Sequence, residues 1–261
     1  MSNINKFNTN SETLSTEIDT DINLISKFSS LLKNKNSFPS VKRQGETYFK
    51  NKYNTKIKHD WGNLLMAADD FKSGDPFGSF NRLRYVLDNE PEFSDAHNLY
   101  IKIVTRIGKQ DLIDEALHDA VKNHPNNPIF LNMIGKNLLL AKGEKYKALE
   151  YIEKSVEKNP HDCIYWLDLA FCYFAVRNIK MVSLCLATAQ KIDSTNKRCF
   201  MLSSLMFQED SKYDEAIKIL EHALNLYPND KDIIVDLSML YLKHGRKEDG
   251  FRLYSLIEST N

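Results

Sequence analysis

The side chains best able to do chemistry are four cysteines and seven histidines. Cys163, Cys172, Cys185 and Cys199 follow one another at intervals of 9, 13 and 14 residues. Metal fingers and redox pairs place two thiols a few residues apart, so that one turn brings both to one ion or one disulfide. These intervals provide neither, and they predict small buried thiols in a reducing compartment. The histidines are His59, His97, His118, His124, His161, His222 and His244, and no two stand four residues apart on one helix face. Each is expected to be a solvated or capping group. The chain has no P-loop, dinucleotide fingerprint, zinc-protease helix or nucleophile elbow. The expectation is a non-enzymatic protein with no cofactor and no metal centre.

Charge narrows the class of partner. The 261 residues carry 35 basic and 35 acidic side chains, so no whole-chain field draws the molecule to nucleic acid or an anionic membrane. One local exception is 42–58, where Lys42, Arg43, Lys50, Lys52, Lys56 and Lys58 stand against Glu46 alone. Phe49, Tyr53 and Ile57 recur there every four residues, which predicts a basic helix. It is either a patch for an anionic partner or the solvated face of a helix that caps the residues from 60 onward. The first residues lack a basic stretch followed by an apolar one, and no apolar run reaches the ~20 residues of a membrane span. The expected location is cytoplasmic.

The elements that must position these residues repeat. Pro91, Pro125, Pro160 and Pro228 are spaced 34, 35 and 68 residues apart, the last interval being two periods. Each closes a stretch that reads as two short amphipathic helices, because proline ends a helix that would otherwise continue. With Pro91 at position 32 of a 34-residue unit, the units are 60–93, 94–127, 128–162, 163–196, 197–230 and 231–261. The third takes one extra residue between its helices. Position 8 is Ala67, Ile101, Gly135, Ala170, Ser204 and Ser238, small in five of six, which lets helices approach closely. Position 15 is Gly74, Gly108, Gly143, Arg177, Ser211 and Gly245, where glycine serves a left-handed helix cap. Position 24 is apolar throughout, and Ser194 replaces one proline at position 32.

Ahead of the repeats, residues 1–17 are rich in Asn, Ser and Thr and are expected to be disordered. In the following segment, 18–59, Ile18, Ile22, Ile25, Phe28 or Ser29, and Leu32 step by three and four and predict an amphipathic helix over 18–32.

A 34-residue period with two helices per unit resembles the tetratricopeptide repeat family. The closest stretches are CIYWLDLAFCYFAVRN, with Trp166, Leu169, Ala170 and Tyr173, and KYDEAIKILEHALNLYPND, with Tyr213, Ala216, Ala223 and Pro228. The resemblance covers 60–261 and implies an all-α, right-handed solenoid of antiparallel helix pairs. First helices would line a concave face and second helices the convex back. It also implies that positions 2, 5, 9, 12 and 13 face the groove. Those positions are polar and cationic early, with Asn98, Lys102, Arg106, Asn132 and Lys136. Later they are apolar, with Leu167, Phe171, Phe174, Met201, Leu205, Val235, Met239 and Leu242. Three occupants fit such a face: a peptide or amphipathic helix of another protein, the chain's own 18–32, or the array's own neighbours if it winds tightly. The carboxylate clamp of some tetratricopeptide cochaperones is not reproduced, because the third helix offers Leu167 and Phe171 where that clamp has Lys and Arg. The final helix, near 248–258, is apolar on more than one face and is a second candidate surface, for self-association or a larger assembly.

Overall fold

The computed structural model describes residues 60–258. The expected tail 1–17, the amphipathic segment 18–32 and the basic segment 42–58 lie outside the described residues, as do 259–261. Among the described residues the regular structure is twelve α-helices and no strand. They are α1 (Trp61–Lys72), α2 (Pro76–Asn89), α3 (Ser94–Ile107), α4 (Gln110–Asn123), α5 (Pro128–Leu140), α6 (Lys145–Lys158), α7 (Cys163–Ala175), α8 (Ile179–Ile192), α9 (Lys197–Glu209), α10 (Tyr213–Leu226), α11 (Lys231–Lys243) and α12 (Lys247–Glu258). Two helices fall in each of the six units read from the proline grid. The turn 141–144 between α5 and α6 holds the third unit's extra residue; its counterpart 176–178 is shorter.

Turn chemistry sets the helix pairs. All six residues at position 15 adopt positive φ: Gly74 (87°), Gly108 (76°), Gly143 (68°) and Gly245 (80°), and also Arg177 (63°) and Ser211 (60°). A left-handed residue reverses the chain directly after a helix and satisfies its last carbonyls; the Gly108 N–H, for instance, donates to the Val104 carbonyl. At the other ends, side chains of Asp60, Asp75, Asp162, Asn178, Asn196 and Asp230 accept from first-turn N–H groups.

The packing divides after Phe130 into two compact units. In the first, α1 packs on α2, α2 on α3 and α3 on α4. In the second, each helix from α6 to α12 packs on the next. The small residues fill their expected role: Ala67, Ala170 and Ser238 at position 8, and Ala120, Ser155, Ala189 and Ala223 at position 27, are all fully buried. At Gly135 an added Cβ would lie 2.5 Å from Ile152 Cγ1 and 3.1 Å from the Ala148 carbonyl, so α5 and α6 meet backbone to side chain. The last pairs share a core of Ala216, Ile217, Leu220, Leu237, Leu240 and Tyr241.

Ring donors lock the turns where prolines stand. Trp166 Nε1 donates to the Pro160 carbonyl at 2.8 Å, and His97 Nε2 lies 2.8 Å from the Pro91 carbonyl, each six residues on. This corrects the expectation that every histidine is solvated or capping. His97 is 2 % exposed, and its ring packs edge-on against His124 (5.4 Å) and Phe130 (6.1 Å). Bonding through Nε2–H leaves the Nδ1 lone pair buried with no hydrogen-bond partner, and His124 Nε2 is in the same position. Burial pushes both imidazoles below their ordinary range, and for His124 the neighbouring His97 adds to it. The four cysteines are buried and unbridged, as expected. Burial raises the thiols of Cys172 and Cys199 to about 12 and that of Cys185 to about 11.

Candidate functional site

The sequence-predicted site residues fall in both units. In the first unit, α3 carries Asn98, Lys102 and Arg106 at spacings of four, which sets them on one helix face. Asn98 and Lys102 are half-buried and Arg106 is exposed. The Arg106 guanidinium lies over the Phe71 ring, 5.6 Å from its centroid. This face is polar, exposed at Arg106 and half-buried at Asn98 and Lys102.

The second unit differs. Asn132 and Lys136 sit on α5, Leu167, Phe171 and Phe174 on α7, Met201 and Leu205 on α9, and Val235, Met239 and Leu242 on α11. Phe171, Phe174, Met201, Leu205, Val235 and Leu242 are half-buried, and Met239 is 40 % exposed. They form an apolar stripe on the first helices that the unit's own packing leaves partly uncovered. Two predicted residues do not belong to it. Leu167 is 1 % exposed and is core; Asn132 is buried too. Position 5 at those two helices turns inward, toward the seam between successive first helices.

The cationic part of the predicted site is already engaged from inside. Asp168, on α7, is 3 % exposed. Its Oδ1 accepts from Arg198 Nη2 of α9 at 2.5 Å, and Lys136 Nζ of α5 lies 3.4 Å from its Oδ2. Burial alone would raise the Asp168 carboxyl, but Arg198 and then Lys136 outweigh it and hold it below the usual carboxylate range. One carboxylate thus ties three successive first helices together. Further along the same edge, Lys197 Nζ reaches Asp230 Oδ2 at 2.8 Å and Asp232 Oδ2 at 3.4 Å. At the other end of these helices Arg177 pairs with Glu209 at 2.5 Å.

Asp168 and Arg198 were not among the residues the sequence singled out. A signal was present: Asp168 is the one charged side chain in the helix CIYWLDLAFCYFA, and Lys136 is the one in PIFLNMIGKNLLL. A lone charge in an apolar helix needs a partner, and the partner must come from another helix.

Among the described residues no group of three or more His, Cys, Asp or Glu side chains is placed to hold a metal ion. No helix among them is long and apolar enough to cross a membrane. The second candidate surface, α12, exposes Phe251 (65 %) and Tyr254 (45 %). Position 24, where Tyr254 stands, is at most 5 % exposed in the five preceding units, at Leu83, Leu117, Ile152, Leu186 and Leu220.

Comparison with known proteins agrees with the all-α fold of helix pairs. The tetratricopeptide repeat family model matches residues 207–255. No curated protein matches the sequence. Among solved structures, PilW, a widely conserved type IV pilus biogenesis factor, is similar at 12 % identity over 76 % of this chain and 91 % of that one, with a TM-score of 0.66. A tetratricopeptide repeat protein from Parabacteroides merdae ATCC 43184 is similar at 17 % identity over 76 % and 78 %, with a TM-score of 0.64. YrrB, described as a TPR protein with an unusual peptide-binding site, is similar at 13 % identity over 72 % and 94 %, with a TM-score of 0.53. At these identities the likeness is one of fold.

Proposed function

We propose that this tetratricopeptide-repeat α-solenoid is a non-enzymatic protein-interaction module, an adaptor or chaperone, that holds an apolar peptide or helix on the first-helix face of its second unit. The observation that carries the reading is the partly uncovered stripe of Phe171, Phe174, Met201, Leu205, Val235, Met239 and Leu242. Apolar side chains of this size cost free energy when left in water, about 25 cal/mol per Å² of surface. Two methionines suit an uneven ligand surface, since the thioether chain adapts its rotamers at little cost. The fold supports the reading too, because helix arrays of this kind offer extended surfaces and few deep pockets. YrrB, the neighbour described as having a peptide-binding site, lends it an analogy of fold.

The test is capture of peptides from a random library by the wild-type chain and by Met201→Glu and Met239→Glu, with helicity followed by circular dichroism. The reading expects capture by the wild type and loss in both variants at unchanged helicity. Equal capture by folded Met239→Glu would refute it. A second reading, a structural subunit that docks through α12, is favoured by the exposed Phe251 and Tyr254. Light scattering separates the two: docking through α12 predicts association that Phe251→Asp abolishes.

A further inference from the structure

We propose that Asp168 sets the charge of the partner, so that the second unit's apolar face takes a segment without acidic residues. This rests on the groove reading above and deepens it. Lys136, Phe171, Leu205 and Met239 stand at the same register position in successive first helices, so Lys136 continues the row that the apolar side chains form. Arg198 is three residues before Met201 and Asp168 three before Phe171, on the same helix sides. The ion cluster therefore borders the stripe.

Two cations beside an apolar stripe would ordinarily recruit a carboxylate. Here the carboxylate is built in. Asp168 holds Arg198 at 2.5 Å and Lys136 at 3.4 Å, and the three side chains are 3 %, 17 % and 24 % exposed in the order Asp168, Arg198, Lys136. The cluster keeps one excess positive charge, and the Lys197 group next along the edge, with Asp230 and Asp232, carries one excess negative charge. An acidic residue on a partner would have to compete with Asp168 for Arg198. Success would leave the buried carboxylate with Lys136 alone, its more distant partner at 3.4 Å, which is disfavoured. Charge complementarity therefore selects an apolar, uncharged segment, bound with little dependence on salt.

The experiment is selection from a random-peptide library on the full chain, followed by titration of the selected peptides at low salt and at about 0.5 M salt. The expected peptides are apolar and poor in Asp and Glu, with affinities that change less than about twofold between the two salts. On Asp168→Asn, selection should shift to apolar peptides bearing Asp or Glu, with binding that weakens about tenfold at the higher salt. Acidic peptides selected by the wild type, or a tenfold salt effect on it (about that size), overturn the proposal. Met201→Glu keeps the two readings apart. Selected peptides that bind Met201→Glu undiminished, or no selection at all, overturn the groove reading and this inference together. Acidic peptides that lose binding on Met201→Glu overturn only this inference. If Asp168→Asn does not fold, peptide composition and the salt series on the wild type decide the matter.

Discussion

The first helices of the two units share one register and present opposite chemistry. On α3 the outward positions carry Asn98, Lys102 and Arg106, and the buried oddity nearby is an imidazole pair, His97 and His124. On α7, α9 and α11 the same positions carry Phe171, Met201, Leu205, Val235 and Met239, and the buried oddity is a carboxylate. The scaffold positions are nearly interchangeable: mostly small at 8 and 27, with Ile101 and Val86 the first unit's exceptions, left-handed at 15 and apolar at 24 in both units. The outward positions are not constrained by packing, so they are where the two units diverge. Repetition therefore specifies the fold, and departures from it mark candidate function.

The comparison breaks hardest at Asp168. Replacing it with Ala leaves Arg198 and Lys136 facing each other with no anion between them, and loss of one partner of a buried pair costs about 3–5 kcal/mol. Thermal or urea unfolding should show that loss, while Lys102→Ala, on the polar face, should stay within about 0.5 kcal/mol of wild type. Next in size is ligand binding. Met239→Glu should weaken a selected peptide by at least about tenfold, some 1.4 kcal/mol, and Arg106→Glu should leave it unchanged.

Acid should act through the first unit. His97 and His124 are held neutral by burial, with folded pKa values below the ordinary 6.5. The unfolded chain then binds more protons than the folded one between those values and 6.5. The stabilising contribution is complete above about pH 6.5 and is lost as pH falls below it. Asp119 near His97 and Glu92 near His124 oppose the effect without reversing it. Melting temperature should fall between neutral pH and about pH 5.5, and His97→Gln, which keeps a donor for the Pro91 carbonyl but does not titrate, should flatten that fall. A steep fall surviving in the double variant His97→Gln, His124→Gln would assign it elsewhere. The smallest effect is at the turns: Ser211→Gly should stabilise by up to about 1 kcal/mol, because a side chain at φ 60° is strained. No gain in unfolding free energy would count against that strain.

Most of the fold was legible because its determinants are local and recur. The prolines, the residue after each first helix and the small residues at 8 and 27 each answer a constraint within one helix pair, so one grid locates all twelve helices. The stripe was legible in residue type for the same reason. Its edges were not. Leu167 and Asn132 share the register of the half-buried Met201 and Val235 but face fully inward, which depends on how successive first helices lean together. The Asp168–Arg198 pair joins residues 30 apart, and Asp168 stands at position 6, outside those taken to face the groove. His97 looked solvated because nothing in its own helix shows that His124 and Phe130 close over it.

The most direct test of the central assignment is to titrate one library-selected peptide against wild type, Met239→Glu and Lys102→Glu, each confirmed helical. If the apolar face of the second unit is the binding surface, Met239→Glu loses at least about tenfold in affinity and Lys102→Glu matches wild type. The opposite pattern, loss at Lys102 with Met239→Glu unaffected, would place binding on the polar face of the first unit and contradict the account.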